Sequence, residues 1–276
     1  MLTRFAPAPT GLLHLGHVAN AIAVWEMAAS LGASVLLRIE DHDRQRSRPE
    51  YERALLDDLD WLGFVPDLFP TDAFRAGRCD SRQSDRTPIY TRVAEALTAR
   101  GLVYGCTCTR QDVARATSDV SAGEIRYPGT CRTRGIAPGD DVVWRLRIDP
   151  GEERFDDALR GAQVQDPSAQ CGDVVIRDRL ANWTYQFVVS VDDHLQGIDL
   201  VVRGEDLLAS TGRQIRIARL IGRQTPARFA HHGLIMKSPT QKLSKCDGDT
   251  GVRDLRAAGW TPGDVIAAAR SRVTSR

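Results

Sequence analysis

Short apolar runs and longer mixed stretches alternate along the first third of the chain. Residues 3–6 and 34–39 are short runs dominated by apolar or β-branched residues, which predict strands. The mixed stretch after each run predicts a helix: the first ends at Gly32, and the second begins at Pro49 and ends at Gly63. A strand, helix, strand and helix in this order predict the start of a parallel α/β sheet.

The middle of the chain has a different pattern. Paired cysteines and a loop-like run at 118–139 occupy the stretch from residue 105 to about residue 170, and we interpret this stretch as an insertion. The remaining predicted elements are strands at 142–148, 174–177 and 200–202, helices at 85–100 and 210–221, and two short helices within 251–270.

Composition narrows the class of protein. The chain has 276 residues, 42% of them hydrophobic, which is enough for one large domain or two small ones. Its net charge of +1 gives no overall basic field, so any contact with nucleic acid must come from local patches of arginine. The sequence shows no signal peptide and no apolar run long enough to span a bilayer, and we therefore expect a soluble, cytoplasmic protein.

The first chemical motif is His14-Leu15-Gly16-His17, which follows a proline-rich turn and opens the first predicted helix. A helix N-terminus presents backbone N–H groups and the positive end of the helix dipole, which favour an anion. Gly16 lets a nucleotide approach the backbone closely, and two imidazoles can stabilise charge on a phosphate. The alternative is a pair of histidines at a helix start with no ligand.

The second motif is Lys242-Leu243-Ser244-Lys245, in a loop rich in Gly, Asp and Ser. Only three of the 37 basic residues are lysines, and all three (Lys237, Lys242 and Lys245) fall within nine residues. Ammonium groups are compact, flexible phosphate ligands, unlike the planar fork of arginine. The motif therefore indicates a mobile clamp on a triphosphate, and the alternative is an exposed basic loop.

Several motifs, in order, resemble the catalytic core of the class I glutamyl-tRNA synthetases. They are Phe5-Ala6-Pro7-Ala8-Pro9-Thr10-Gly11, His14-Leu15-Gly16-His17, Arg38-Ile39-Glu40-Asp41, Asn182-Trp183-Thr184-Tyr185-Gln186-Phe187, Val202-Arg203-Gly204-Glu205-Asp206 and Lys242-Leu243-Ser244-Lys245. The resemblance extends from residue 3 to about residue 260. It implies an α/β fold with a Rossmann-type parallel sheet, a zinc-containing insertion and a short helical C-terminal extension.

The resemblance also implies a division into segments and a set of site residues. Residues 1–104 and 171–236 are expected to form the two halves of the catalytic domain, 105–170 the acceptor-binding insertion, and 237–276 the lysine loop and helical extension. The implied glutamate site consists of Arg4, Phe5, Ala6, Pro7, Ala8, Glu40, Tyr185 and Arg203. The implied ATP site consists of His14, Gly16, His17, Lys242, Ser244 and Lys245, of which the His and Lys residues act in catalysis.

The implied glutamate site is chemically reasonable. The guanidinium groups of Arg4 and Arg203 can bind carboxylates in a bidentate manner. Glu40, at the carboxyl end of a strand, can bind the ammonium group, and Tyr185 can supply a directional hydroxyl group. The alternative for Glu40 and its neighbour Asp41 is a solvated acid pair. Ala8 departs from the family, which usually has serine there, so one possible hydrogen bond is absent.

Three of the six cysteines, Cys106, Cys108 and Cys131, predict a structural zinc site, because Zn²⁺ prefers four thiolate or imidazole ligands. No histidine lies between His42 and His194, so the fourth ligand must be another group. The shortened paralogue of the family has a Cys-x-Cys…Tyr-x-x-x-Cys zinc site here, which implies Tyr127. Phenolate is an unusual zinc ligand, and water or Asp112 stays open. The remaining cysteines, Cys79, Cys171 and Cys246, are expected to be ordinary thiols.

Only about thirty residues follow the lysine motif, too few for an additional domain, so we expect no anticodon-binding domain. The chain is therefore similar to the truncated paralogues, the glutamyl-queuosine tRNA(Asp) synthetases. This similarity implies activation of L-glutamate by ATP and Mg²⁺ without tRNA, transfer of glutamate to queuosine in the anticodon of tRNA(Asp), and a monomeric state.

Three alternatives to this function stay open. They are charging of a tRNA 3′ end, a non-catalytic tRNA-binding relic of a synthetase, and another ligase of the nucleotidyl-transfer fold. The set of Arg4, Glu40, Tyr185 and Arg203 argues against the last of these.

Overall fold

A computed structural model describes residues 1–117, 125–234, 236–238, 241–242 and 250–271, the short strands at 236–238 and 241–242 by their backbone only. The described strands are β1 (Leu2–Phe5), β2 (Ser34–Leu37), β3 (Val103–Cys106), β4 (Val143–Leu146), β5 (Glu153–Asp157), β6 (Gly161–Gln165), β7 (Val174–Arg177), β8 (Leu200–Gly204), β9 (Arg228–His232), β10 (Met236–Ser238) and β11 (Gln241–Lys242). The described helices are α1 (Leu15–Leu31), α2 (Pro49–Leu62), α3 (Thr71–Arg75), α4 (Thr87–Ala99), α5 (Arg110–Ala116), α6 (Pro167–Gln170), α7 (Tyr185–Leu195), α8 (Thr211–Leu220), α9 (Val252–Ala257) and α10 (Pro262–Ser271). Short 3-10 helices, Gln83–Arg86 and Glu205–Ser210, precede α4 and α8.

The main sheet consists, in the described part of the chain, of six strands in the order β2-β1-β8-β9-β5-β6. The first five are parallel, and β6 pairs with β5 in an antiparallel hairpin. Because β1, β2 and β8 are parallel neighbours, their carboxyl ends meet at one edge, where open α/β sheets bind ligands. The predicted α/β class and parallel sheet are confirmed.

Helix α1 forms where the sequence predicts it, because both of its ends are capped. His14 accepts a hydrogen bond at the N-terminus, and Gly32 ends the helix in a left-handed conformation, with φ of 61°. The helix packs its buried residues, such as Val18 and Val24, into the same core as β1, β2 and β8. The site edge of the sheet is therefore continuous with the N-terminus of this helix.

The two C-terminal helices belong to the same core. Val265 and Ala269 of α10 are buried in the cluster that contains Val18 of α1, and α9 and α10 also contact α2. At the surface, Arg270 Nη2 lies 2.6 Å from Glu26 Oε1. The prediction of two short helices within 251–270 is confirmed, and they cover α1.

A second core lies under a small antiparallel sheet, ordered β3-β4-β7. Helices α4 and α7 pack against it through residues such as Tyr90 and Phe187, and Trp183, which precedes α7, belongs to the same core. The Trp183 ring makes edge contact with Trp144 of β4, at a centroid distance of 6.1 Å. The motif around Trp183 therefore joins this sheet to the start of α7.

The strand pairing differs from the predicted segments in two places. Within the expected insertion at 105–170, β5 and β6 join the main sheet next to β9. Conversely, β7, which the sequence places in the second half of the catalytic domain, closes the small sheet. The sequence pattern did not predict β5, because this strand buries polar residues. Glu153, for example, forms ion pairs with Arg216 and Arg219 of α8, at 2.5 and 2.9 Å.

None of the helices in the described ranges has the length and apolar character needed to cross a membrane.

The ion pairs of Glu153 are expected to hold β5 to α8. The Glu153 side chain is only 4% exposed, so replacement by glutamine leaves two arginines facing a neutral group. We expect Glu153→Gln to lower the free energy of unfolding by about 2 kcal/mol, less than for a fully buried pair because Arg219 is partly exposed. Denaturant unfolding measures this. Glu152→Gln, which removes an exposed pair with Arg154, is the matched control and should change stability by less than about 0.5 kcal/mol. Equal effects of the two variants would contradict the assignment.

Candidate active site

The sheet topology brings four predicted glutamate-site residues together. Arg4 lies in β1 and Arg203 in β8, Glu40 follows β2, and Tyr185 begins α7. Arg4 and Arg203 are each 4% exposed and Glu40 is 6% exposed. Burial and the positive charge of Arg203 and Arg4 act on the Tyr185 hydroxyl in opposite directions; burial prevails and raises the pKa of Tyr185. The cluster is thus a buried polar site at the carboxyl edge of the sheet.

Asp193 of α7, which the sequence analysis did not identify, connects this cluster. Its Oδ1 accepts hydrogen bonds from Arg4 Nε at 3.2 Å and from Arg38 Nη1 at 2.8 Å. Burial by itself raises the pKa of Asp193, but the charges of Arg4 and Arg38 outweigh it and hold this pKa below its usual value. Asp193 is therefore ionised and fixes two guanidinium groups.

Glu40 is held by Arg38 and is not a solvated acid. Its Oε1 accepts hydrogen bonds from Arg38 Nε and Nη2, at 3.3 and 3.0 Å. The neighbouring Asp41 is partly exposed, and its Oδ1 accepts a hydrogen bond from Ser84 N at 2.8 Å. The acid-pair alternative is therefore wrong for Glu40, whose carboxylate faces the buried cluster.

The loop at Phe5 to Ala8 contributes mainly backbone. The Phe5 side chain is 2% exposed and packs against Trp25, and its carbonyl accepts a hydrogen bond from Arg38 N at 2.9 Å. The Pro7 carbonyl likewise accepts from Glu40 N at 3.0 Å. Ala6 and Ala8 are partly exposed. This pairing extends β1 alongside residues 38–40 and sets the position of Glu40.

Arg203 has most of its donors bound within the protein. Its Nε donates to His231 Nε2 at 3.0 Å, and its Nη1 donates to Gln214 Oε1 at 2.6 Å. Its Nη2 donates to Thr211 Oγ1 at 2.9 Å. Burial lowers the pKa of Arg203. These contacts fix the orientation of the guanidinium group. The bidentate carboxylate contact predicted for Arg203 can therefore use only the hydrogens that face Tyr185.

A buried pair behind Arg203 was also missed by the sequence analysis. His231 Nδ1 lies 2.5 Å from Asp157 Oδ2, and both side chains are fully buried. Burial brings the pKa of His231 down to about 4, although the hydrogen bond to Asp157 opposes this. The ring is therefore neutral at physiological pH, with its proton on Nδ1 donated to Asp157. This tautomer leaves Nε2 as the acceptor for Arg203.

The two histidines of the first motif are in contact at the start of α1. His14 Nδ1 accepts a hydrogen bond from Gly16 N at 3.0 Å, and His17 Nδ1 accepts from His14 N at 3.1 Å. The neutral rings therefore carry their protons on Nε2, which makes these atoms donors suited to a phosphate. The Gly16 N–H is already bound by His14, so the helix start offers fewer backbone donors than the sequence predicts.

The lysine motif lies largely outside the described residues. Lys242 is described by its backbone in β11, paired with Met236, whereas Ser244 and Lys245 fall outside the described ranges. The chain on either side contacts the α1 region: His232 Nε2 lies 2.9 Å from Asn20 Oδ1, and Val252 N donates to Leu13 O at 2.7 Å. The segment that carries the motif thus begins and ends beside the histidine motif.

Cys106, Cys108 and Cys131 form a cluster whose sulfur atoms all lie within 4.8 Å of one another. The Cys108 and Cys131 sulfurs are 3.6 Å apart, and the Tyr127 hydroxyl lies 3.4 Å from Cys106 Sγ. Tetrahedral Zn²⁺ with Zn–S bonds of about 2.3 Å separates two sulfurs by about 3.8 Å. The three thiols and the hydroxyl therefore fit a zinc ion as four ligands.

The alternative fourth ligand Asp112 is engaged elsewhere. It caps α5, where its Oδ2 accepts hydrogen bonds from Thr109 N and Oγ1 at 2.8 and 2.7 Å. Tyr127, by contrast, is 2% exposed, and Arg145 lies over its ring at 3.5 Å from the centroid. A cation on the ring face stabilises negative charge on a phenolate, which favours Tyr127 as the ligand.

Comparison with known proteins agrees with this geometry. Residues 1–274 match the family model described as tRNA synthetases class I (E and Q), catalytic domain. The chain is 41% identical, over 96% of its length and 98% of the relative's, to a protein named Glutamyl-Q tRNA(Asp) synthetase from Rhodobacter capsulatus. It is 37% identical to glutamate–tRNA ligase 2 of Syntrophus aciditrophicus, covering 94% of this chain but 54% of that one.

Solved structures show the same similarity. A glutamate tRNA ligase from Elizabethkingia meningosepticum, solved in complex with its amino acid, is 29% identical with a TM-score of 0.72. The alignment covers 90% of this chain and 52% of that chain, so the protein spans about half the length of this relative.

The fold and the sequence matches together define an α/β enzyme of the ligase class with a synthetase catalytic core. The chain belongs to the class I glutamyl- and glutaminyl-tRNA synthetase family. The resemblance predicted from the motifs is therefore confirmed at the level of family, fold and enzyme class.

The zinc site yields a direct prediction. We expect about one zinc ion per chain by metal analysis, because the four ligands match tetrahedral coordination. Cys106→Ser should lose the metal, and Tyr127→Phe should keep it with an affinity lowered by about tenfold or more, since one ligand is removed. Cys79→Ser, which changes a cysteine outside the cluster, is the control and should retain zinc. A folded protein without metal would contradict the site.

The Asp157–His231 pair is expected to set the orientation of Arg203. In Asp157→Asn the amide can donate to His231, which moves the ring proton to Nε2 and opposes the Arg203 N–H. We expect the KM for glutamate to rise by about tenfold with a smaller change in kcat. Kinetics of ATP–pyrophosphate exchange measure this. Asp156→Asn, on the exposed face of the same strand, is the matched control, and an equal rise in KM there would refute the role of Asp157.

Proposed function

We propose that this enzyme activates L-glutamate with ATP in the absence of tRNA and transfers the glutamyl group to queuosine in the anticodon of tRNA(Asp). The charge of the buried cluster carries the first half of this proposal. The similarity to a relative matched over 98% of its length supports the second half.

The cluster has three guanidinium groups (Arg4, Arg38 and Arg203) and two carboxylates (Glu40 and Asp193), a surplus of one positive charge. Asp157 lies one ring further away, behind the neutral His231. Glutamate, with one ammonium group and two carboxylates, brings one net negative charge and restores neutrality. Glutamine brings none, and would leave a buried cation without a partner, which is costly.

Within this site the residues take distinct roles. Glu40 accepts hydrogen bonds from the substrate ammonium group, and Arg4 binds a substrate carboxylate with the guanidinium hydrogens that face the site. Arg203 and the Tyr185 hydroxyl bind the second carboxylate. Because Asp193 and His231 already fix the two arginines, little side-chain entropy is lost when the substrate binds.

Activation is an in-line displacement at phosphorus. An oxygen of the glutamate α-carboxylate attacks the α-phosphorus of ATP, a P–O bond forms to it, and the bond to pyrophosphate breaks. His14 and His17 donate from Nε2 to the transferring phosphate, and Lys242 and Lys245 bind the leaving phosphates, with Ser244 between them. Mg²⁺, when bound with ATP, supplies further charge neutralisation on the phosphates.

The names of the relatives, and not the described geometry, support the proposed acceptor. A protein named Glutamyl-Q tRNA(Asp) synthetase matches this chain over 98% of its own length, and others of that name from Burkholderia cenocepacia and Ralstonia nicotianae are 41% and 40% identical. In the transfer step a hydroxyl group of queuosine attacks the adenylate carbonyl, and AMP leaves. Zinc, held by the cysteine cluster, has a structural role in this proposal.

The test of activation is ATP–pyrophosphate exchange with purified protein and no tRNA. We expect exchange with L-glutamate, and at least about 100-fold less with L-glutamine, because the uncharged amide leaves the buried positive charge unpaired. L-aspartate, with the same charge and a shorter side chain, is the matched control for shape. Exchange that appears only when tRNA is added would contradict activation without tRNA.

The acceptor is tested in the same preparation with three RNAs. Labelled glutamate should pass to tRNA(Asp) that contains queuosine, and not to tRNA(Asp) without queuosine or to tRNA(Glu). Glutamate on the 3′ end of tRNA(Glu) would instead identify a charging enzyme.

A further inference from the structure

The roles proposed above assign no residue as the proton acceptor of the transfer step. His42 lies two positions after Glu40, on the loop that follows β2 at the carboxyl edge of the main sheet. Its ring is tilted towards the Tyr185 ring, at a centroid distance of 6.1 Å. A half-buried imidazole therefore lies beside the residue assigned to the substrate carboxylate.

The hydrogen bonds of His42 determine its tautomer. Gln83 is fully buried, and its Nε2 lies 2.8 Å from Asp192 Oδ2. A carboxylate only accepts, so the amide nitrogen must face Asp192 and the amide oxygen must face His42 Nδ1, which lies 2.7 Å from it. His42 Nδ1 therefore carries the proton and donates it, and Nε2 has the lone pair.

Asp192 anchors this chain of contacts. It is fully buried, and it also accepts hydrogen bonds from Arg86 Nε at 2.7 Å and from the Tyr90 hydroxyl at 2.9 Å. The negative charge of Asp192, transmitted through the Gln83 amide, polarises the His42 ring and fixes its orientation. A base whose second nitrogen is held by an oriented partner is the arrangement that nucleophile activation uses.

The His42 Nε2 atom makes no hydrogen bond to any residue of the described ranges. The ring also lines a cavity of about 50 Å³ together with Thr87, Asn182 and Trp183. Such a volume has room for hydroxyl-sized groups or a few water molecules, not for a nucleoside base. The environment suits the end of an acceptor that projects a hydroxyl group.

We propose that His42 is the general base of the transfer step, oriented by Gln83 and Asp192; this inference rests on the proposed function. His42 Nε2 takes the proton of the acceptor hydroxyl group while the oxygen forms a bond to the glutamyl carbonyl carbon. The bond from that carbon to the phosphate oxygen breaks, and AMP leaves with the electron pair. The proton on His42 then passes to solvent.

Other titratable groups face His42 and define the rival assignment. Asp41 and Arg44 share its loop, Tyr185 faces it from α7, and Tyr90 faces it from α4. Burial raises the pKa of Asp41, which makes that carboxyl the second group able to accept a proton here. Asp41 is held by the Ser84 backbone, whereas His42 is aligned by the Gln83 amide, which Asp192 holds, and for this reason His42 is preferred.

The test separates the two half-reactions in the full-length protein. In His42→Asn the amide can still donate to Gln83, but the base is absent. We expect single-turnover transfer to queuosine-containing tRNA(Asp), divided by the rate of ATP–pyrophosphate exchange, to fall by about 100-fold or more. Capture of the adenylate by hydroxylamine, a nucleophile that needs no base, should fall far less. His194→Asn, at the end of α7, is the matched histidine control.

The pH profile distinguishes a base from a packing residue. Acidification should slow wild-type transfer, because a protonated imidazole cannot accept a proton, and His42→Asn should lose this dependence on pH. Gln83→Met should lower transfer in part, because the His42 ring loses the partner that orients it. Equal losses in exchange, capture and transfer in His42→Asn would assign His42 a structural role and overturn the proposal. A pH dependence of transfer that disappears in Asp41→Asn and persists in His42→Asn would also overturn it. Wild-type exchange that does not depend on glutamate would contradict the proposed function as well.

Discussion

The two hydrogen bonds that Asp193 accepts from Arg4 and Arg38 are the interaction on which the rest of the site depends. Three guanidinium groups lie in one buried region, and without a carboxylate between them their mutual repulsion in a medium of low dielectric constant would oppose folding. Asp193 lies on α7, the helix that Tyr185 begins. One helix therefore supplies both the Tyr185 hydroxyl group and the counter-charge that keeps β1 and the residues after β2 in contact with it.

The same ion pair sets the position of Glu40. Arg38 divides its guanidinium hydrogens between Asp193 and Glu40, so the orientation of Glu40 depends on a residue that is distant in sequence. Preorganisation of this kind means that the ligand meets charges that are already aligned. It also explains how the site can have so many buried charges: each has a partner of opposite sign or a hydrogen-bonded neighbour in the described cluster.

The sequence predicted much of this arrangement. The resemblance to the synthetase family implied that Arg4, Glu40 and Arg203 lie near one another, and the parallel strands, which end at one edge of the sheet, bring them together. It did not reveal Asp193, although that residue lies about two helical turns after Tyr185 and on the same face, a spacing that could have indicated it. His231 was missed because its role depends on Asp157. The strand that contains Asp157 is too polar to be recognised from the sequence, which does not show which arginines and which histidine neutralise its acidic residues. The roles predicted for the site residues stay predictions, and for Lys242, Ser244 and Lys245 the structure also does not describe the side chains.

The pairing of β5 and β6 with the main sheet determines which segments of this chain could be exchanged with those of another protein. The stretch at 105–170 has the cysteines and loops typical of an inserted segment, yet its β5 contributes Asp157, which holds His231, and its Gln165 accepts a hydrogen bond from the backbone of Gly212 at 2.8 Å. Helix α8 forms ion pairs with Glu153 on one side and contacts Arg203 through Gln214 on the other. A chimera that exchanged this stretch at its apparent sequence boundaries would remove the support of Arg203 along with the insertion. A graft that ended between β4 and β5 would leave Asp157 and Gln165 in place, and its new β4 would have to pair with the original β7.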